Sequence, residues 1–199
     1  MTHSPCLAAI LLAAVAIAPS RPAIAEPQPA AIFDSSGVLI DPADGLLPDA
    51  DVVDQFGNRM RFREAVGEGA FVLNFTYTRC TELCGMADLY LTDIDDRRDE
   101  LAAPVRLVTL TLDPARDRPQ DLLQRHQDFG SPEGWLRLTG DPAEILPLLV
   151  RLGAWDGSPL EDHKLFVIVG HAGRQQMVRL EADPWLPERI FRLASDFTR

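Results

Sequence analysis

A strand that feeds a cysteine-bearing turn and then a helix can be read directly from residues 71–101, and nothing else in the chain narrows the fold as much. Phe71 to Tyr77 is mostly apolar, rich in aromatic and β-branched residues, and follows Gly67 and Gly69. Such a run reads as a strand covered on both faces, central in a layered sheet. After Thr78–Cys84, the residues Met86, Leu89, Tyr90, Ile94 and Leu101 recur at helical spacing among Asp88, Asp93, Asp95, Arg97 and Arg98. That is the pattern of an amphipathic helix. Val105 to Leu112 predicts the next strand. Pro119 to Phe129 predicts the next helix, with Leu122, Leu123, His126 and Phe129 on one side. A strand, a helix and a strand in this order pair in parallel through a right-handed crossover.

The flanking segments complete the expectation. Residues 51–62 predict a hairpin turning at Gly57-Asn58. Asp141-Pro142 opens a helix toward Leu152, with Pro147 placed to kink or shorten it. His163 to Gly170 is expected as a strand, His171-Ala172-Gly173 as a turn and Gln176 to Glu181 as its antiparallel partner. A last helix is expected with Asp183 as cap, Pro184 at its first position and Leu186, Ile190, Ala194 and Phe197 as its buried stripe. The order βαβα, helix, ββα is that of a thioredoxin-like α/β fold, extended here by an N-terminal β-hairpin. The domain is expected over residues 49–199.

What precedes the domain sets its compartment. Leu7 to Ala18 is an unbroken run of 12 apolar residues, shorter than the roughly 20 that a spanning helix needs. Ala23-Ile24-Ala25 supplies the small-x-small cleavage pattern, so residues 1–25 are expected to be a signal peptide cut after Ala25 and the protein to be periplasmic. An uncleaved membrane anchor is the alternative, and the only expected route to a membrane. Residues 26–48 read as a flexible acidic tether. Across the chain, 19 Lys and Arg face 30 Asp and Glu, for a net charge of −11. With no basic run or basic helix face to meet phosphates, nucleic acid is not an expected partner. A metal cation or a basic protein surface suits this field better.

Export leaves two cysteines to explain, because Cys6 departs with the leader. Cys80 and Cys84, four apart at a strand-to-helix turn, admit three readings: a structural disulfide, a thiol redox couple or a metal site. The helix N-terminus favours thiolate, and Arg79 adds a local cation. His163, at the entry of the penultimate strand, is expected to come beside that helix start in such a sandwich. Two thiolates and one imidazole suit Cu(I), whereas structural zinc normally takes four protein ligands, with Glu82 the available oxygen. Asp162 is a candidate for orienting the imidazole. His126 reads as a packing residue on its helix, and His171 as an exposed turn residue. Asp88, Asp93, Asp95, Asp96 and Asp99 read as a solvated face. Asp113 to Pro119 reads as a strand exit, a turn and a helix start.

Three segments carry a family resemblance: Phe71 to Cys80 with Cys84, Thr111 to Pro119, and Asp162-His163. Together they resemble the Sco (SenC) family of copper-binding assembly proteins over about residues 48–198, although Thr81 and Gly85 stand where that family usually has proline. The resemblance implies a thioredoxin fold and one copper ion, Cu(I) or Cu(II), held by Cys80, Cys84 and His163. It also implies a part in building the binuclear copper centre of cytochrome c oxidase. The partners it implies are the oxidase subunit carrying that centre and a copper donor or thiol reductant protein. It implies no enzymatic turnover. The rival reading is a thiol-disulfide oxidoreductase acting through Cys80 and Cys84 on a copper-receiving partner.

Overall fold

The computed structural model of the chain describes residues 31–33, 39–40, 47–80, 83–132 and 134–199. The expected leader, most of the stretch read as a tether, and Glu82 lie outside these residues. In chain order the elements are β1 (Ala31–Phe33), β2 (Leu39–Ile40), β3 (Asp51–Asp54), β4 (Arg59–Arg61), α1 (Phe62–Val66), β5 (Ala70–Thr76), α2 (Leu83–Asp96), β6 (Val105–Thr111), α3 (Pro119–Asp128), β7 (Trp135–Thr139), α4 (Pro142–Arg151), β8 (Phe166–His171), β9 (Gln176–Glu181) and α5 (Leu186–Phe197). Single 3-10 turns lie at Arg98–Glu100 and Leu160–Asp162.

The described strands form one sheet in the order β2-β1-β9-β8-β5-β6-β7-β3-β4. β5, β6 and β7 run parallel, while β8 pairs antiparallel to β5 and β9 to β8. This is the expected thioredoxin-like α/β fold, with helices on both faces. All seven positions of β5 are buried, and alternation divides them between two cores. Phe71, Leu73 and Phe75 face the cluster that holds Phe62, Ile145, Leu148 and Leu149 of α1 and α4. Ala70 and Val72 face the cluster that holds Ala87, Leu91 and Ile94 of α2 and Leu186, Ile190 and Ala194 of α5. Asn74, fully buried on this second side, donates to the carbonyl of Ala87 at 2.9 Å and so fastens α2 to the middle of the sheet.

The β3–β4 hairpin forms where expected, with Gly57 at φ +87° in its turn. It joins the sheet beside β7 through the pairs Val53–Thr139 and Asp54–Leu138. Where that ladder stops, the buried side chain of Gln55 continues it. Its amide donates to the carbonyl of Trp135 at 2.9 Å and accepts from the N–H of Arg137 at 2.8 Å.

Several expectations are corrected. β7 and α1 were not anticipated. β7 is hidden in the sequence because Arg137, only 1% exposed, sits at a core-facing position and breaks its apolar run. It is tolerated there because it pairs with Asp88 at 2.9 Å. Asp88 itself is not on a solvated face; it is fully buried and also pairs with Arg125 at 2.8 Å. β8 begins at Phe166 rather than His163, because Leu160–Asp162 form a turn that His163 closes. His171 belongs to β8, and the turn runs through Ala172–Gln175, with Gln175 at φ +54°. α5 starts at Leu186, three residues after Asp183. The Asp183 carboxylate instead accepts the N–H of Trp185 at 2.7 Å, in a turn ahead of the helix. Pro147 does not end α4, which continues to Arg151. Within the stretch read as a tether, β1 pairs with β9 and β2 with β1, satisfying backbone groups along the outer edge of β9.

Candidate metal centre

Cys80 reaches the site on the turn that leaves β5. Its N–H bonds the carbonyl of Tyr77 at 3.1 Å. Cys84 comes from the first turn of α2. Of the two cysteines at this strand-to-helix turn, only Cys84 is within the helix, and Cys80 lies three residues ahead of its described start. The two Cα atoms are 5.8 Å apart and the sulfurs form a disulfide. The N–H of Cys84 points at Cys80 Sγ, 3.2 Å away. A helix-start N–H directed at that sulfur favours it as thiolate once the disulfide is reduced. Cys80 is 8% exposed and Cys84 1%.

His163 arrives from the other side of the sheet, on the loop between α4 and β8. Arg179 of β9 stacks over Phe166 and donates to the carbonyl of Gly153 at 3.0 Å, holding the base of that loop. The turn Leu160–Asp162 then aims the imidazole inward. Nδ1 lies 2.6 Å from the carbonyl of Leu160. A carbonyl can only accept, so Nδ1 carries the proton and Nε2 keeps a free lone pair. Nε2 is buried and has no hydrogen-bond partner. The ring of Tyr77 packs edge-on against the imidazole, with centroids 5.5 Å apart. Burial pushes the Tyr77 phenol up, and the Glu161 and Asp113 carboxylates push it further, so this wall stays neutral.

The structure therefore brings all three expected residues together. One ligand atom from each of Cys80, Cys84 and His163 lies within 4.8 Å of the others. Asp162 does not orient the imidazole: it is exposed, and the Leu160 carbonyl does that work. His126 packs as expected, T-shaped against Phe56 and 3.4 Å from Gln55. Burial, then the nearby Arg137 guanidinium, lower its pKa.

Sequence reasoning missed two participants: the Leu160 carbonyl and the Tyr77 ring. A backbone carbonyl leaves no sequence signal. Tyr77 had one, as an aromatic residue directly before the cysteine turn.

The donor set fits a soft, low-coordinate metal ion. It offers two sulfurs once reduced, plus an imidazole nitrogen whose burial without a partner is otherwise a cost. Among the described residues this is the one cluster of three such side chains with converging donors.

Comparison with known proteins covers the segment that carries Cys80 and Cys84. The family model described as SCO1/SenC matches residues 44–152. A candidate copper-binding protein of Stutzerimonas stutzeri is 30% identical over 128 residues, which are 62% of this chain and 59% of that protein. Protein sco1 of Schizosaccharomyces pombe is 27% identical over 126 residues, 58% of this chain and 47% of that one. The chain thus spans about half to three-fifths of these curated relatives. Among solved structures, Bradyrhizobium japonicum ScoI with copper bound superposes with a TM-score of 0.63 at 18% identity, covering 76% of this chain and 99% of that one. At that identity the likeness speaks for the fold.

Proposed function

Since this chain belongs to the SCO1/SenC family, we propose that it is an exported copper chaperone that carries one copper ion on Cys80, Cys84 and His163 to the binuclear copper centre of cytochrome c oxidase. The observation that carries this reading is His163 Nε2, a buried, unpartnered lone pair held beside two sulfurs. The copper-binding relative from Stutzerimonas stutzeri supports it.

The ion is cargo, and the chain's residues handle it as follows. A partner dithiol reduces the Cys80–Cys84 disulfide: two electrons and two protons pass to the sulfurs, and the partner leaves as a disulfide. Binding of Cu(I) displaces the two thiol protons. Leu160 keeps the imidazole in the tautomer that can donate from Nε2. Three protein donors leave room for an incoming ligand of the recipient to bind before the old ones depart, so transfer needs no free ion. Periplasmic location, cleavage after Ala25, the oxidase subunit as recipient and a separate copper donor or reductant are parts of this proposal.

An anaerobic titration of the reduced protein with Cu(I) against a competing chelator tests it. One tightly held ion per chain is expected, and a weak or absent site would overturn the assignment. The second reading, a thiol-disulfide oxidoreductase, is favoured by the disulfide itself and by the greater exposure of Cys80. His163→Ala separates the two. It weakens copper binding if the protein is a chaperone, and leaves dithiol exchange largely unchanged if exchange is the function.

A further inference from the structure

We propose that Asp117 is a positioning residue for this site, acting on Cys80 through Thr78; the inference rests on the copper reading above. Asp117 lies on the turn between β6 and α3 and is 1% exposed. Its carboxylate is fully engaged. Oδ2 accepts the N–H of Thr78 at 3.1 Å and the hydroxyl of Thr111 at 2.5 Å, and Oδ1 accepts the hydroxyl of Thr78 at 2.5 Å. Its own backbone carbonyl accepts the hydroxyl of Thr139 at 2.9 Å. One residue, through its side chain and its backbone carbonyl, therefore ties together the C-terminal ends of β5, β6 and β7.

The geometry at Thr78 is what makes this a positioning device. A single hydrogen bond fixes a distance, whereas two bonds from one residue to the two oxygens of one carboxylate also fix its orientation. Thr78 is the second residue of the Tyr77–Cys80 turn, so its orientation sets the direction in which Cys80 leaves the sheet. Each donor of the site then has its own anchor. Helix α2 carries Cys84, the Leu160 carbonyl holds His163, and Asp117 holds the cysteine that no regular element carries. Asp117 is not itself a fourth ligand, because its oxygens are spent on Thr78 and Thr111 and it stands outside the converging group. A donor set converging to a few ångströms needs such support, since small displacements of a ligand are costly.

The substitutions have distinct expectations. Asp117→Leu removes every side-chain bond. Asp117→Asn keeps them, with the amide oxygen toward Thr111 and the Thr78 N–H, and the Thr78 hydroxyl turned to accept from the amide nitrogen. Thr78→Val removes one of the two points of attachment, and Thr78→Ser restores it. Ile145→Val, on the buried side of α4, is the control for a loss of stability alone.

The test measures three quantities for each full-length variant: Cu(I) affinity by chelator competition, the equilibrium of Cys80–Cys84 with glutathione, and urea unfolding. Asp117→Leu is expected to weaken Cu(I) binding about tenfold or more. Thr78→Val should act in the same direction, while Asp117→Asn, Thr78→Ser and Ile145→Val stay close to wild type. The inference is overturned if Asp117→Leu binds as wild type does, or if Ile145→Val loses as much. If Asp117→Leu does not fold, Thr78→Val against Thr78→Ser decides on the same terms. If wild type binds no copper, the chaperone reading falls and the glutathione equilibrium decides. A shift in Asp117→Leu that Asp117→Asn reverses upholds the positioning role, and an unchanged equilibrium overturns it.

Discussion

His163 shows how much of a metal site is decided by one hydrogen bond. A free imidazole divides its proton between two nitrogens, but the Leu160 carbonyl holds it on Nδ1 and leaves Nε2 to face the sulfurs as a donor. The residue type was legible in the sequence; the tautomer was not, because the acceptor is a backbone atom placed by a turn. His126 makes the contrasting case. Buried against Gln55 and Phe56, it is held neutral by burial and then by the charge of Arg137. Its folded pKa lies below the ordinary 6.5. Between the two values the unfolded chain binds more protons, so stability rises with pH there and is lost as pH falls from about 6.5 through the folded value. His126→Gln is therefore expected to flatten this acid loss. Urea unfolding of both proteins between pH 7.5 and 5 would show it, and parallel curves would count against it.

Elements whose signals are local came out of the sequence well, and those whose signals are tertiary did not. β5 was legible because its apolar run is continuous, and α3 because Pro119 stands at a helix start followed by an apolar side. β7 was missed because a buried Arg looks polar until its partner is known. β8 was placed three residues early and α5 two. A 3-10 turn and an Asx-type turn use the same cap-like residues that open strands and helices. α4 carries its own test. Asp141 caps it through the N–H of Ala143, and the exposed Pro147 lies inside it with no N–H to offer the carbonyl one turn back. Proline inside a helix costs about 3 kcal/mol relative to alanine, partly offset by about 1 kcal/mol from restricting the unfolded chain. Pro147→Ala is thus expected to stabilise the protein by about 2 kcal/mol in urea unfolding. No gain would mean that the helix has already absorbed the defect.

Across the whole molecule, the site exists because residues up to 83 positions apart in number meet where β5 ends and β8 is about to begin, strands that are neighbours inside the sheet. Asp88 extends that logic by joining α2, α3 and β7 through Arg125 and Arg137, with Asp88 wholly buried. Removing the shared anion strands two guanidinium groups, so Asp88→Leu is expected to cost about 3–5 kcal/mol. Adding Arg137→Met should recover part of that loss in a double-mutant cycle, and strict additivity would show that the charges do not interact. The sequence by itself determined the layered α/β class, the hairpin at Gly57 and the residue types of the three side chains that converge. These are written in hydrophobic period, turn chemistry and residue type, all of which are local. The tertiary structure alone decided that Arg137 and Asp88 are buried, that Asp117 grips the cysteine turn and that Nε2 is the free nitrogen. Each of these depends on a partner brought close by sheet pairing, and the cost of burying a polar group has no value until that partner is in place.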